Sequence, residues 1–590
     1  MLFRSFLLLA LWPAGLFAQA AGWTKVAAPY FTLHSNAPAA DALQAGEELQ
    51  LFIAALRTIV PVDPGKLPPL TVVIFRRDKE FRPFRPLAPD GKPRDVSGFF
   101  SRAPSWSVFG LVGSQSDESS QRTVYHEAVH WFLSGEDTPN PLWLEEGLAE
   151  VFSTFRVNAK GLASWGQPIP EHVSLLRDEP PLPLERLLYL SRSDSLFNEN
   201  LRTGVFYAGA WSFVHYLLFG EQTGTTVELR DFLQAQRRGL HPDQAFASAF
   251  KTGYAQMDKT IAAYLRRGRY YQSNFPRPSD LPVLRAETTS DFELSVTLAR
   301  LAVGSNLSAL AIAHAKRALV LAPDSPVPHE LLGYAAQSRK DTDGAIAAFT
   351  EAARLKSRDH QIYFALAQGI LNPGAQSFYL RAPPTPSDAR RVADYLEQGL
   401  ECRPTFLPAL QTFGQVIQFS EPWNVHDIRV LQRGLTYYPD DSDLHLGLAA
   451  LEWKDGAKTK ARNRIQALLD AQPPYNSQIL GQARGLRENW AALEFEHELD
   501  ALLEANRFTA ALALLDAELT RNPDAANRRV WENRRRFIAA NVAMGQVIDA
   551  INYQQLPKAR ALLEAMIASD APESAKRRAR ELLAKFSALP

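Results

Sequence analysis

Cysteine is almost absent from this 590-residue chain, which contains a single one, Cys402. One cysteine excludes an intrachain disulfide, and it also excludes a metal site built from several thiolates. We therefore expect a fold that is stabilised by packing alone, in which any metal site uses histidine and carboxylate ligands.

An excess of charge of one sign is also absent, since 64 basic residues balance 64 acidic residues. Proteins that bind nucleic acid or anionic membranes by electrostatic attraction carry a basic surplus. The balance predicts that nucleic acid is not a partner. The hydrophobic content of 46% is ordinary for globular proteins, and the length predicts several domains.

Long apolar runs are lacking after the N-terminus, and the one found there is too short to span a bilayer comfortably. Arg4 precedes an apolar stretch that extends to Phe17, and Ala18–Ala20 has the A-x-A pattern of a cleavage site. Residues 1–20 are therefore predicted to be a secretory signal peptide, with an uncleaved anchor or a buried helix as the alternative. We expect a secreted protein of a bacterial periplasm, without a membrane span after cleavage.

The first part of the chain mixes strand and helix patterns. Tyr30–Ser35 and Leu70–Phe75 predict strands, and Ala39–Ile59 has apolar residues at helical spacing. Arg76–Arg94 is basic and contains prolines, so it is predicted to be a loop. These patterns predict an α+β domain.

Residues 126–130 have the pattern H-E-x-x-H. Residues four apart lie on one face of a helix, so His126 and His130 can direct two imidazoles at one metal ion. Glu127 faces the same cleft without being a ligand, and its carboxylate can take a proton from a metal-bound water. A surface helix with two histidines is the alternative.

A second helix is predicted to begin in the stretch 141–150, PLWLEEGLAE. A catalytic zinc site usually has three protein ligands and one open position, and Glu146 is the candidate third ligand. Glu150 is one turn later on the same face, where it can accept the spare ring N–H of a ligand histidine. Glu145 is expected to face solvent.

Together, the H-E-x-x-H pattern and the W-L-x-E-G-x-A stretch resemble the gluzincin metallopeptidases, in particular the aminopeptidase N and leukotriene A4 hydrolase group. The resemblance implies a zincin-like domain with one zinc ion bound by His126, His130 and Glu146. It also implies that Glu127 is the general base in the hydrolysis of peptide bonds.

The stretch 207–217, YAGAWSFVHYL, is similar to the segment of those enzymes in which a tyrosine opens a buried helix. The resemblance implies that the Tyr207 hydroxyl stabilises the oxyanion formed during hydrolysis. A core aromatic residue at a helix start is the alternative. His215 is a second candidate for the oxyanion role, although its apolar neighbours favour a packed histidine.

One feature of those aminopeptidases is missing. Their G-x-M-E-N stretch, which holds the free amino terminus of the substrate, does not occur before His126. Residues 96–100 and 106–112 instead predict strands, one of which is expected to be an edge strand that pairs with an extended peptide. The chain therefore resembles the broad peptidase MA-like domains, and typical aminopeptidase specificity is not expected.

The C-terminal half is repetitive. Ala311–Leu321 and Ala345–Leu355 match at an offset of 34 residues (345 minus 311), the tetratricopeptide period. The segment resembles tetratricopeptide repeats, which implies an all-α solenoid that binds a protein or peptide; an irregular bundle or a rigid spacer is the alternative. The predicted domains are a metallopeptidase-like domain at 21–275, a proline-rich linker at 276–285 and a solenoid at 286–590.

Two functions from different classes follow. The first is a zinc-dependent metallopeptidase whose repeat array binds protein or peptide. The second is a protein-interaction or assembly scaffold whose zinc domain is structural or inactive. Glu127 favours the first, because a structural metal site has no need of a general base.

Overall fold

The computed structural model of the protein describes residues 22–60, 67–88, 91–103, 105–113, 118–134, 140–191, 200–220, 226–237, 241–372, 383–471, 477–522 and 527–587. The predicted signal peptide at 1–20 lies outside these residues. The chain forms two compact units, one ending at Ala409 and the other beginning at Leu410. No helix within the described ranges is long and apolar enough to cross a membrane.

The described strands all belong to the N-terminal unit. They are β1 Thr24–Ala27, β2 Phe31–Ser35, β3 Leu70–Phe75, β4 Gly98–Arg102, β5 Ser107–Val112, β6 Arg156–Val157, β7 Ala163–Trp165, β8 Ser273–Phe275 and β9 Ala286–Thr288. Six of them form a mixed sheet in the order β4-β5-β3-β2-β1-β9, in which β2, β3 and β5 are parallel. The remaining three form an antiparallel sheet in the order β6-β7-β8.

Ten helices accompany these sheets in the described part of the chain before β9. They are α1 Ala39–Leu56, α2 Asp78–Phe81, α3 Glu118–Leu133, α4 Leu142–Ser153, α5 Pro170–Asp178, α6 Leu184–Leu187, α7 Asn200–Phe219, α8 Thr226–Arg237, α9 Pro242–Phe250 and α10 Tyr254–Arg267. The predicted mixture of strands and helices is therefore confirmed for this part of the chain.

The two faces of the large sheet bury their side chains in different cores, because successive residues of a strand point to opposite sides. Leu33, Val72 and Phe109 pack with the first core, which contains α1 and α3. Val73 and Val108 pack with the second core on the other face. All six residues of β3 are buried, as is typical of a central parallel strand.

Fifteen helices follow β9 in the described residues. They are α11 Asp291–Gly304, α12 Ser308–Leu321, α13 Val327–Ser338, α14 Thr342–Arg354, α15 His360–Leu371, α16 Pro386–Cys402, α17 Leu407–Ile417, α18 Val425–Tyr437, α19 Ser442–Lys454, α20 Lys458–Asp470, α21 Ser477–Glu504, α22 Phe508–Arg521, α23 Arg528–Asn552, α24 Leu556–Ala568 and α25 Glu573–Ser587.

These helices are repeats, as the sequence period predicts. The starts of α12 and α14, Ser308 and Thr342, are 34 residues apart (342 minus 308). Within the pair α13 and α14, a Cβ atom on Gly333 would lie 2.3 Å from Phe349 Cε1. Paired helices can approach this closely only where a small residue faces a large one. The glycine in the repeat is therefore a packing position.

The large sheet and the first repeat helices share one core. β9 lies beyond the predicted linker, yet it pairs with β1 at the sheet edge. α11 then covers the second face so closely that a Cβ atom on Gly110 of β5 would lie 2.6 Å from Leu301 Cδ1. In the turn between β4 and β5, Ser105 Oγ donates to Asp359 Oδ2 at 2.7 Å.

The predicted loop Arg76–Arg94 is wrong in part, because it contains the short helix α2 and a 3-10 turn at Arg82–Phe84. The Arg77 and Glu80 side chains close a capping interaction at the start of α2, and Phe81 is fully buried in the second core. Burial of this aromatic ring stabilises a short helix, whereas the prolines of the stretch predict a loop.

Candidate metal centre

Helix α3 brings the two histidines of the H-E-x-x-H pattern together. Its buried face is anchored by Trp131, whose Nε1 donates to the carbonyl of Pro68 at 2.9 Å just before β3. The histidines lie on the opposite, partly exposed face, and their Nε2 atoms are 3.2 Å apart. The spacing of four residues therefore places both imidazoles on one face, as predicted.

Helix α4 adds a carboxylate to this pair. Glu146 is 2% exposed, and its Oε2 lies 3.5 Å from His126 Nε2 and 3.2 Å from His130 Nε2. Three ligand atoms of a tetrahedral zinc ion, each at roughly 2.0–2.1 Å, are about 3.3 Å from one another. The three donors thus fit a zinc ion, and they are the one such histidine and carboxylate cluster within the described ranges.

The charges of the cluster favour a bound cation. Burial raises the pKa of Glu146, but hydrogen bonds from both histidines outweigh burial and lower this pKa to about 2. Burial lowers the pKa of His126, but hydrogen bonds to Glu146 and Glu150 outweigh it and raise this pKa to about 10. A carboxylate and an imidazolium therefore share the site, and a metal ion would take the place of the proton.

Glu150 lies one turn beyond Glu146 on α4. Its Oε1 is 3.3 Å from His126 Nδ1, the ring nitrogen that faces away from the cluster. Burial raises the pKa of Glu150, but hydrogen bonds from His126 and His172 outweigh burial and lower it. An ionised Glu150 accepts the Nδ1–H of His126, which leaves the Nε2 lone pair for a metal.

Glu127 does not belong to the cluster of donor atoms. It lines a cleft of about 610 Å³ that is bounded by the first face of the large sheet, α1 and α3. Val124 and Leu111 line the same cleft. His126, His130 and Glu146 are not among the residues that line this cleft, and the role of Glu127 as a general base stays a prediction.

Tyr207 also lies near the cluster. Its ring centroid is 6.3 Å from that of His126, and it is partly buried on α7. The expectation that this tyrosine opens its helix is wrong, because α7 begins at Asn200 and Tyr207 is in its second turn. Phe206 is fully buried, and packing of such residues extends the helix towards its N-terminus.

A glycine allows α7 to approach the metal-binding helix. A Cβ atom on Gly147 would lie 2.6 Å from the Ala210 carbonyl oxygen and 2.4 Å from Val214 Cγ2. Gly147, which follows the candidate ligand Glu146, is therefore needed for the close packing of α4 against α7. This packing brings Tyr207 beside His126.

His215 is a packed histidine. It is fully buried, its Nε2 donates to the Gly166 carbonyl at 2.8 Å, and its Nδ1 accepts from the Tyr264 hydroxyl at 2.8 Å. Burial lowers its pKa to about 4. Since both ring nitrogens are engaged in the core, His215 is not placed to bind an oxyanion.

Comparison with protein families gives one match. A family model described as "Protein of unknown function (DUF1570)" matches residues 120–239. This range contains every residue of the cluster described above, together with Glu127, Glu150 and Tyr207. No curated protein matches the chain.

Solved structures similar to the chain include tetratricopeptide-repeat proteins. One is YrrB, a TPR protein with an unusual peptide-binding site, at 15% identity and a TM-score of 0.25, over 33% of this chain and 90% of YrrB. Another is a human IFIT1 dimer with PPP-AAAA, at 14% identity and a TM-score of 0.19, over 76% of this chain and 100% of IFIT1.

Two residues at the site are absent from the sequence prediction. His172 on α5 has its Nε2 3.0 Å from Glu150 Oε2. Arg122 on α3 approaches the same oxygen with Nη2 at 3.8 Å. His172 is 22 residues from Glu150 in a stretch without a motif, so only the packing of α5 against α7 brings it to the site.

Proposed function

We propose that the chain is an exported zinc-dependent metallopeptidase that acts on peptide or protein substrates and whose helical repeats bind protein. One observation carries the proposal: His126 Nε2, His130 Nε2 and Glu146 Oε2 lie within 3.2–3.5 Å of one another. Three protein ligands with a carboxylate beside them are typical of catalytic zinc sites, whereas structural sites use four protein ligands.

A zinc ion bound here would supply Lewis acidity to a water molecule and to the substrate carbonyl. Glu127 accepts the proton of the attacking water and passes it to the leaving amine. The Tyr207 hydroxyl donates a hydrogen bond to the developing oxyanion. Glu150 fixes the tautomer of His126, so that the ligand nitrogen carries no proton.

The cleft beside Glu127 suits an extended peptide. β4 is an edge strand of the large sheet, and among the described strands it pairs only with β5. Gly98, Phe99 and Phe100 of β4 line the same cleft as Glu127. A peptide that adds to β4 as a further strand would therefore pass beside the proposed base.

Substrates with basic residues are expected to be preferred, because the charged side chains that line the cleft are all carboxylates. They are Asp41, Glu48, Glu127 and Asp95, the last of which also lies 3.3 Å from Arg85 Nη1. Peptides with lysine near the scissile bond are expected to have a kcat/KM about tenfold above matched glutamate peptides. Glu48→Gln should narrow this ratio, and equal rates for both peptides would contradict the expectation.

A protein-interaction scaffold is the second candidate. The helical-repeat architecture that begins at α11 supports a protein-binding role directly, since stacked helix pairs present extended concave surfaces. A scaffold needs neither Glu127 nor an open coordination position. The two candidates therefore differ in whether Glu127 is required in cells.

Metal content tests the proposed centre. The purified protein is expected to contain about one zinc ion per chain, and His126→Ala/His130→Ala is expected to contain none, because two of three ligands are removed. His241→Ala is the control, since His241 is an exposed histidine with a 61% exposed side chain. Wild-type protein that takes up no zinc when supplied with it would favour the scaffold.

A further inference from the structure

Glu150 is held from two sides in addition to its contact with His126. Its carboxylate is 12% exposed, so water can satisfy little of its hydrogen-bonding capacity. Oε1 faces His126 Nδ1 at 3.3 Å, while Oε2 faces His172 Nε2 at 3.0 Å and Arg122 Nη2 at 3.8 Å. The donors come from two helices, α3 and α5. At Oε2, the contact from His172 on α5 is shorter than the contact from Arg122 on α3.

The direction of this hydrogen bond follows from the chemistry of its partners. An ionised carboxylate can only accept, so the His172 Nε2 atom must carry a hydrogen and donate it to Oε2. Arg122 is a weaker competitor at this distance, and its Nη1 donates to Glu171 Oε2 at 3.2 Å. His172 is therefore the principal donor that fixes the orientation of the Glu150 carboxylate.

His172 is placed by the turn before α5 and by a contact with α7. The turn that precedes α5 is fixed by Thr154 Oγ1, which accepts from the backbone N–H of Gly166 at 2.9 Å and of Gln167 at 3.1 Å. The buried His215 binds the Gly166 carbonyl from the other side. The His172 ring also packs against Trp211 of α7, with centroids 5.9 Å apart.

We propose that His172 is a positioning residue of the metal centre, which acts through Glu150 to orient His126. This inference rests on the proposed zinc site but not on the identity of the substrate. With the donor at Oε2 removed, the carboxylate is free to rotate towards Arg122. His126 then loses the acceptor that fixes its tautomer, and zinc affinity falls.

Two amide variants separate the hydrogen bond from packing. Glutamine places its amide nitrogen at the ε position, where His172 donates, whereas asparagine is one bond too short. His172→Asn is expected to weaken zinc binding by about 10–100-fold, the range for residues that support a metal ligand. His172→Gln is expected to stay close to wild type. His241→Asn, at an exposed histidine, is the control.

Zinc affinity of the full chain is measured by competition with a chelating dye, and Co²⁺ is used as a spectroscopic probe. The visible absorption of bound Co²⁺ should change in His172→Asn and not in His172→Gln. Wild-type affinity and spectrum in His172→Asn would overturn the inference while leaving the zinc site intact. Equal losses in both variants would also overturn it. Absence of metal binding by the wild type would instead overturn the proposed function.

Discussion

Glu127→Gln is expected to retain one zinc ion per chain and to hydrolyse peptides about 10²–10⁴-fold more slowly than the wild type. Glutamine has nearly the same shape as glutamate but cannot accept a proton at neutral pH. Glu127 lines the cleft and is not among the three clustered donor atoms, so its replacement should not disturb the ligands. The measurement combines metal analysis with turnover of a peptide substrate that the wild type cleaves.

Glu185→Gln is the matched control, since it makes the same substitution at an exposed position on α6. It should change neither zinc content nor rate. Undiminished hydrolysis by Glu127→Gln would remove Glu127 as the base. Loss of zinc together with activity would mean that the variant disturbs the metal centre. Glu127→Asp would then separate loss of the base from disturbance of the ligands, because it keeps a carboxylate but moves it by one bond.

The metal cluster could be predicted because its geometry is mostly local. The separation of His126 and His130 by one helical turn requires only that α3 form. Glu146 depends on how two neighbouring helices pack. The stretch that opens the second helix makes it the candidate third ligand, and the resemblance to the gluzincins implies the same residue. The structure brings its Oε2 to within 3.5 Å of both imidazoles.

His172 was not predictable, because nothing local connects it to Glu150. Its position depends on the turn between β7 and α5 at Gly166, where φ is +84°, and on the packing of α5 against α7. Backbone conformations in the left-handed region favour glycine, so Gly166 allows the chain to turn there. A sequence pattern can indicate that such a turn is present, but it does not show which side chain the turn brings to a site.

The packing of α11 against the large sheet was not predictable for a related reason. An amphipathic helix shows which of its faces is buried but not which surface covers that face. The predicted solenoid at 286–590 includes α11 and implies only that it packs with other helices. In the structure it also closes the second core of the large sheet, where Leu294, Leu298 and Leu301 are buried with Val73 and Val108.

A chain that ends at residue 284 is therefore expected not to fold, although residue 284 lies in the predicted linker. It would lack β9 and the helices that cover the second sheet face. That face and its flanking segments bury large apolar side chains, and full exposure of five of these at about 2 kcal/mol each costs about 10 kcal/mol. This is comparable to the whole stability of a typical domain, about 5–15 kcal/mol. The affected side chains from the sheet and its flanking segments are Trp23, Val73, Phe75, Phe81, Phe84, Trp106, Val108 and Val112.

A chain that ends at residue 409 is the matched comparison, since it keeps the whole N-terminal compact unit. It should give a cooperative thermal transition and bind zinc, whereas the shorter chain should be insoluble or show no transition by tryptophan fluorescence. A cooperative transition at a similar temperature in both chains would show that the sheet does not need α11. If the shorter chain fails as expected, the first repeats and β5 depend on one shared core. A ligand that shifts the first repeats would then also act on β5. The strand β5 also holds the edge strand β4 in place beside Glu127.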